Sequence, residues 1–166
     1  MMGKKQENAQ GEMQLVAEWI STLSRDWKTK THVNVGAQLL QYAGQRLSAA
    51  QSRAFGVWNS WADARVATPT EVWIVEGKIV ATGAAYGQVI DYIDEYPQSE
   101  DYQAFAPRPI IPVVLCMARR DRTASRFATL GVRTIVFEPS FAIADALARL
   151  FPAAQILQQD GSPPLS

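Results

Sequence analysis

Three charged residues in the middle of the chain have types and spacing that suit metal-ion chemistry. Glu76 and Lys78 stand two residues apart in the otherwise apolar segment 72–80, and Asp63 precedes them by a short interval. Because side chains alternate between the two faces of a strand, Glu76 and Lys78 share a face, about 7 Å apart along the strand. The pattern therefore places an acidic and a basic side chain, those of Glu76 and Lys78, on the same face of a sheet.

The position of Asp63 follows from the turn between two predicted strands. Segments 62–67 and 72–80 are rich in β-branched and aromatic residues, as expected for a hairpin. Pro69 between them disfavours a two-residue turn, so we expect a four-residue loop. In the register that this loop sets, Asp63 faces Glu76 directly, with Cβ atoms about 5 Å apart.

Two carboxylates at that separation destabilise a sheet unless a cation lies between them. Mg²⁺ is the natural candidate, because it binds through one or two carboxylates and keeps several waters. The alternative is an edge hairpin in which Asp63 and Glu76 both reach solvent and Lys78 forms a surface salt bridge. The hairpin by itself does not decide between them.

Composition excludes several other kinds of site. The single cysteine, Cys116, cannot form an internal disulfide, a zinc ribbon or a four-cysteine iron–sulfur cluster, and we expect it to be an inert core thiol. The single histidine, His32, disfavours a histidine-rich metal site and is expected on a surface loop. Sixteen basic residues balance sixteen acidic ones, so contact with nucleic acid would need local patches or a partner.

Length and hydropathy predict one globular domain. The 166 residues are 48% hydrophobic, which is enough for a core, and we expect flexible ends over 1–11 and 152–166 around a single domain over 12–151. No apolar run is long enough to span a membrane, and the polar start lacks the apolar stretch of a signal peptide. We therefore expect a cytoplasmic protein with no membrane contact.

The apolar spacing predicts the elements around the hairpin. A helix is expected from Glu12 to near Trp27, followed by a polar loop over 28–34. A helix over 84–96, stopped by Pro97, follows the hairpin and leads into a loop over 97–108. The other predicted elements are helices at 39–47, 49–55, 123–130 and 141–151, a buried strand over 110–117 and a short strand over 132–137. This order predicts an α/β sandwich with a mixed sheet.

The pattern resembles the PD-(D/E)XK nuclease superfamily. Asp63, followed after a hairpin by Glu76-Gly77-Lys78, is similar to the motif of that superfamily. Gln88 and Tyr92 are similar to the Gln-x-x-x-Tyr pair that follows this strand in the RecB-like branch. The order of elements also agrees with the αβββαβ core of the family, and the resemblance covers about residues 12–138.

The resemblance implies a restriction-endonuclease-like fold and a metal-dependent DNA nuclease. Asp63 and Glu76 would ligate Mg²⁺ or Mn²⁺, with the Gly77 carbonyl as a third ligand. Lys78 would position the attacking water or stabilise developing negative charge. The Gln-x-x-x-Tyr pair would orient the lysine or the substrate backbone, and it favours an exonuclease over an endonuclease.

The sequence departs from the family pattern at three points. Ala62 stands where the family has a proline before the acidic residue. The histidine of the upstream helix has no evident counterpart, and Glu18 is a substitute by position only. The cysteines of the CRISPR-associated iron–sulfur relatives are absent, which excludes that subfamily.

Basic and aromatic residues near the motifs are further candidates for DNA contact. Arg119, Arg120 and Arg122 follow the buried strand and either contact phosphates or form a solvated helix start. Trp58 and Trp61 flank the approach to Asp63. They either stack a base or, as the more common role, pack in the core or the hairpin.

The expected function is hydrolysis of phosphodiester bonds in DNA, with Mg²⁺ or Mn²⁺ as cofactor. The compact chain fits a stand-alone enzyme or the nuclease subunit of a phage, mobile-element or repair complex, with a protein partner or homo-oligomer left open. The alternative is a catalytically inactive nuclease-fold scaffold or binding protein. Neutral charge, five tryptophans and the missing upstream histidine favour that alternative.

Overall fold

The computed structural model describes residues 4–35 and 60–140, which form an α/β sandwich around a five-stranded mixed sheet. The strands are β1 (Lys28–Asn34), β2 (Trp61–Ala67), β3 (Val72–Ala81), β4 (Ile110–Arg119) and β5 (Arg133–Val136). The helices of these residues are α1 (Lys4–Ser21), α2 (Gly83–Glu95), α3 (Glu100–Gln103) and α4 (Asp121–Ala128), with a 3₁₀ turn at Tyr96–Gln98. This architecture confirms the predicted fold class.

The sheet has the strand order β1-β2-β3-β4-β5. Strand β2 runs antiparallel to both of its neighbours, β1 and β3, whereas β4 lies parallel to β3 and β5 lies parallel to β4. Parallel neighbours need a crossover connection, and α2 and α4 lie in the two crossovers. The change from antiparallel to parallel pairing therefore occurs at β3, the strand that carries Glu76 and Lys78.

Each face of the sheet has its own apolar core. Alternate residues of β3 point to opposite faces, so that Ile74 packs with α2 and Val75 packs with α1. The α1 face is filled by Leu15, Val16 and Trp19 of the helix. The α2 face is filled by Ala85, Tyr86, Val89 and Tyr92 of the helix. The apolar spacing of this segment predicts Ala85, Val89 and Tyr92 on one face, but not Tyr86. Of the described helices, none is long and apolar enough to cross a membrane.

Two predictions near the N-terminus are wrong. The first helix begins at Lys4 rather than near Glu12 and ends at Ser21 rather than near Trp27, because its first residues are good helix formers without an apolar stripe. The segment Lys28–Asn34 is a strand, not a loop. Its residues are mostly exposed, and lysines on an outer strand are typical of sheet edges that avoid pairing with other chains.

The predicted hairpin register is confirmed over the paired residues. Ala67 lies opposite Val72, and the ladder continues to Ala64 opposite Val75. Thr68 closes the loop through its backbone N–H, which donates to the Glu71 carbonyl at 2.9 Å.

The predictions for the second half of the chain are largely confirmed. The helix predicted over 84–96 is α2, and the strands predicted over 110–117 and 132–137 are β4 and β5. The expected loop over 97–108 instead contains the 3₁₀ turn and α3. Pro112 causes no bulge, because it stays in register with Ile74 at a point where β5 has not yet begun to pair with β4.

Several predicted features lie outside the described residues. They are the helices at 39–47, 49–55 and 141–151, the tail over 152–166 and Trp58.

Gly77 allows α1 to approach the sheet closely. A Cβ atom at this position would lie 2.5 Å from the Cγ2 atom of Val16 and 3.4 Å from the Oδ2 atom of Asp63. Separations near 2.5 Å between carbon atoms are far inside van der Waals contact. The absence of a side chain at position 77 therefore sets how closely helix and strand pack beside the acidic residues.

The substitution Gly77→Ala should destabilise the fold. The added methyl group meets Val16, so we expect the free energy of unfolding to fall by about 1–3 kcal/mol in thermal or chemical denaturation. Gly87→Ala is the matched control, because Gly87 lies within α2 with open space around it and should gain about 0.5–1 kcal/mol. Equal stability of the Gly77→Ala variant and the wild type would contradict the close approach.

Candidate active site

The site begins where the ladder between β2 and β3 ends. The last paired residues are Ala64 and Val75, one step before Asp63 and Glu76 would pair. Beyond that step the two strands are joined through the Asp63 side chain. Its Oδ2 atom accepts a hydrogen bond of 2.8 Å from the backbone N–H of Gly77. A carboxylate oxygen thus replaces a backbone carbonyl as acceptor, which ties the Asp63 side chain to β3.

The outer strand is also irregular at this point. The β1–β2 ladder pairs Thr31 with Ala64 and Val33 with Ala62, and passes over His32 opposite Asp63. His32 has a φ of 52°, in the left-handed region that non-glycine residues rarely adopt.

The side-chain alternation of β2 reverses at the same step. Ala62 packs in the core on the α2 face, whereas Ala64, two residues later, packs in the core on the α1 face. Regular strand geometry would place both residues on one face. Asp63 therefore occupies a local reversal of the pleat.

Glu76, Lys78 and Glu12 form a second part of the site. The Lys78 Nζ atom lies 2.8 Å from Oε1 of Glu76 and 3.1 Å from Oε2 of Glu12. Glu76 is almost fully buried, whereas Lys78 and Glu12 are each about one quarter exposed in their side chains. The predicted proximity of Glu76 and Lys78 is thus confirmed as a direct ion pair.

Burial and neighbouring charge shift the protonation of these groups. Burial, together with the charge of Asp63, raises the pKa of Glu76 to about 7, against the opposing effect of Lys78. Burial also raises the pKa of Asp63, although the Gly77 N–H opposes it. For Lys78, burial is the largest single effect and acts to lower the pKa, but the hydrogen bonds and charges of Glu76 and Glu12 together outweigh it and raise the pKa. The Lys78 ammonium therefore stays charged at neutral pH, whereas the carboxyl of Glu76 changes its protonation near pH 7.

One oxygen of this cluster has no partner. The Oε2 atom of Glu76 is buried and accepts no hydrogen bond, although its sister oxygen meets Lys78. Buried polar atoms of proteins are almost always satisfied, so an orphaned carboxylate oxygen points to a proton or a cation as the missing partner. Among the described residues, no three His, Cys, Asp or Glu side chains converge as metal ligands.

The Gln-x-x-x-Tyr pair lies on α2, next to the carboxylates. The Gln88 side-chain amide donates a hydrogen bond to the hydroxyl of Tyr92. Burial, followed by the charge of Glu76, raises the pKa of Tyr92 to about 12. The Tyr92 hydroxyl is therefore close enough to Glu76 and Asp63 for their charges to shift its pKa. The side chain of Gln88 is exposed to solvent.

Glu12, and not Glu18, is the acid of α1 that contacts Lys78. Glu18 lies away from Lys78 and accepts hydrogen bonds from the backbone N–H and the hydroxyl of Ser140, at 2.6 and 2.7 Å. The sequence contained a signal for this contact, because Glu12 precedes Val16 by four positions and so extends the apolar stripe that faces the sheet. An acidic residue on the side of a helix that faces the core is unusual, and this is the signal in the sequence.

The remaining candidate residues lie around this cluster. Arg119 ends β4 in register with Ala81, three residues beyond Lys78 on β3, and it bonds Asp121 at 3.1 Å. Arg120 and Arg122, at the start of α4, are exposed like Arg119. The arginines therefore lie beyond the end of β3, and the structure does not bring them into contact with the carboxylates.

The structure also shows the positions of Trp61, His32 and Cys116. Trp61 is 39% exposed rather than packed in the core, and its ring stacks on that of His32. His32 is exposed as predicted, but it lies in β1 rather than in a loop. Cys116 is buried in β4, and burial raises the pKa of its thiol to about 11, as expected for an unreactive core thiol.

A scan against known protein families, a search of curated proteins and a search of solved structures all returned no match for this chain.

The substitution Glu76→Gln should change how stability depends on pH. Because the folded protein raises the pKa of Glu76 from 4.5 to about 7, the native state binds the proton more tightly than the unfolded state does. The free energy of unfolding should therefore fall as pH rises from about 4.5 through 7, by up to about 3 kcal/mol. Glu76→Gln should flatten this profile in chemical denaturation and unfold less readily than the wild type at about pH 8.

The control for this experiment is Glu18→Gln, which removes an acid of α1 outside the cluster. Its profile between pH 4.5 and 7 should keep the slope of the wild type. Parallel profiles for the wild type and the Glu76→Gln variant would show that Glu76 does not titrate in this window.

Proposed function

We propose that this protein is a Mg²⁺- or Mn²⁺-dependent nuclease that hydrolyses phosphodiester bonds of DNA at the Asp63–Glu76–Lys78 cluster. The observation that carries the proposal is the buried, unpartnered Oε2 atom of Glu76 beside a second carboxylate. Mg²⁺ needs only one or two protein carboxylates, so the donor set fits it without a third acidic ligand.

The fold supports the proposal through the order of its elements. Helix α1, the three antiparallel strands β1–β3, helix α2 and the parallel strand β4 follow one another as in the αβββαβ core of the PD-(D/E)XK superfamily. The three charged residues of the motif and the Gln-x-x-x-Tyr pair lie on β2, β3 and α2, in the order of that superfamily. A fold by itself does not define an activity, so the chemistry has to come from the cluster.

Each residue of the cluster has a part in the proposed chemistry. Asp63 and Glu76 would hold the cation, with the Gly77 carbonyl as a third ligand. When bound, a divalent cation polarises the scissile phosphate and lowers the pKa of a coordinated water. Lys78 is a charged donor beside the acids and would stabilise negative charge on the phosphate or orient the attacking water.

Glu12 and Tyr92 would act on Lys78 and on the acids rather than on the substrate. Glu12 gives the Lys78 ammonium a second carboxylate partner. This contact would hold the lysine in place when Glu76 binds a cation. Tyr92, held by Gln88, provides a neutral hydroxyl near Glu76. These contacts would fix the orientation of the reacting groups, which is a large part of catalytic power.

The wider setting belongs to the same proposal. Arg119, Arg120 and Arg122 would contact DNA phosphates beyond the end of β3, which compensates locally for a chain of zero net charge. The proposed setting is a phage, mobile-element or repair complex in the cytoplasm, as the resemblance suggests. An exonuclease remains the favoured type.

A specific observation favours a second candidate, an inactive nuclease-fold scaffold. Lys78 contacts both Glu76 and Glu12, and an internal ammonium can neutralise buried acids without any metal ion. In a scaffold, the cluster would be a structural ion-pair network and the fold would serve to bind a partner. The two candidates differ in whether the acids bind a divalent cation.

The activity test uses linear duplex and single-stranded DNA with Mg²⁺ or Mn²⁺, and measures the rate of cleavage. We expect cleavage by the wild type that chelation abolishes. Glu76→Gln and Asp63→Asn should each lower the rate by about 100-fold or more, because each removes a charge from the metal site. Glu12→Gln should lower it by about tenfold through loss of the second lysine partner.

The matched control is Glu18→Gln, the same substitution on the same helix outside the cluster, which should retain the wild-type rate. Titration of the wild type with Mn²⁺, followed by calorimetry, separates the two candidates. Failure of a folded wild type both to cleave DNA and to bind Mn²⁺ would establish the scaffold. Full activity of the Glu76→Gln variant would place the chemistry elsewhere.

A further inference from the structure

Two exposed aromatic rings stack beside Asp63. The ring centroids of His32 and Trp61 are 4.4 Å apart and their planes differ by only 9°. Trp61 is 39% exposed, although a tryptophan of a sheet usually lies in the core. Both residues lie next to the reactive cluster: Trp61 is two residues before Asp63 on β2, and His32 is opposite Asp63 on β1.

The backbone holds His32 in an unfavourable conformation to make this stack. Its φ of 52° lies in the left-handed region, in the middle of a strand that is otherwise paired in register. Such conformations are strained for residues other than glycine and are found most often at functional sites. The strained residue contributes its ring to an exposed stack rather than to a core, so packing does not account for the conformation.

A cavity of about 560 Å³ lies on one side of the stack, which is large enough for a nucleotide. Its lining includes Lys30, His32 and Trp61 together with the acids Glu100 and Asp101. Its floor is rigid, because the buried Arg65 donates two hydrogen bonds to Asp101, at 2.9 and 3.2 Å, and lies over the Phe105 ring.

Charge distinguishes this side of Trp61 from the other side. The cavity on the other side is lined by Asp91, Asp94 and Glu95 together with Gln88 and Tyr92, and its acids repel phosphates. On the His32 side, Lys30 and Arg65 both pair with Asp101, at 3.2 and 2.9 Å, and Glu100 also lines the cavity, so its basic and acidic side chains balance. A polyanion that reaches Asp63 past Trp61 therefore meets less repulsion on the side of Lys30 and His32 than on the side of the three acids.

We propose that the His32–Trp61 stack is a platform for an unpaired base of single-stranded DNA, which presents the adjoining phosphate to the cluster at Asp63. The inference names the substrate class of the proposed nuclease and rests on that proposed function. Stacking on an aromatic ring needs a base face free of its duplex neighbours, and it tolerates any base sequence. Lys30 would then contact the phosphate backbone.

The test measures binding without chemistry. A fluorescently labelled short oligothymidylate is titrated with the full chain in the presence of EDTA, so that affinity is measured when cleavage cannot occur. Trp61→Ala should weaken binding by about tenfold, and Trp61→Phe, which keeps a ring, should weaken it by no more than about threefold. His32→Gly removes the imidazole and relieves the left-handed strain, so it should fold well and still lose affinity by about fivefold.

The probes and controls separate stacking from charge. An oligonucleotide of the same length with abasic sites keeps the phosphates and lacks the bases, and it should bind about tenfold more weakly to the wild type. Leu130→Ala, an exposed apolar residue after α4, is the control and should bind as the wild type does.

Each outcome decides for or against the platform, independently of the nuclease proposal. Weaker binding by the Trp61→Ala and His32→Gly variants supports the platform, even when the wild type cleaves no DNA. Equal binding of the abasic probe, unchanged binding by both variants, or no binding by the wild type overturns it. If the platform fails while Glu76→Gln still abolishes cleavage, the nuclease proposal stands and the substrate reaches Asp63 by another surface.

Discussion

One hydrogen bond, from the Gly77 N–H to the Asp63 carboxylate, determines the arrangement of the candidate site. It continues the association of β2 with β3 after their backbone ladder has ended at Ala64 and Val75. The donor residue has to be a glycine, because α1 packs against that position so closely that a Cβ atom would meet Val16. The same close approach brings Glu12 of α1 to Lys78. A single point of contact thus unites residues from β2, β3 and α1.

The resulting cluster does not maximise stability. It places Asp63, Glu76 and Glu12 around one lysine, and leaves a buried oxygen of Glu76 without a partner. Burying charges that are only partly paired costs free energy, and in many proteins hydrophobic residues at such positions are as stabilising or more so. Such local conflicts with stability are expected at functional sites. The strained backbone of His32, opposite Asp63, is a second conflict of the same kind at the same step of the sheet.

Much of the fold could be predicted because its signals are local. Pro69 set the hairpin loop and thereby the register, and the apolar stripe of α2 identified its buried face. The strand Lys28–Asn34 was missed, because an edge strand with exposed polar side chains lacks the apolar alternation by which strands are recognised. The early start of α1 was missed for a related reason, since helical residues without an apolar stripe carry only a weak propensity signal.

The sequence by itself determined which side chains share a strand: the spacing of Glu76 and Lys78 and the turn before them placed both beside Asp63. Periodicity also paired Gln88 with Tyr92, because residues four apart share a helix face. Only the tertiary structure decided that Glu12, and not Glu18, meets Lys78, since the contact depends on how closely α1 packs over Gly77. Contacts between distant segments depend on packing distance and on local breaks of the pleat, neither of which is encoded in residue spacing.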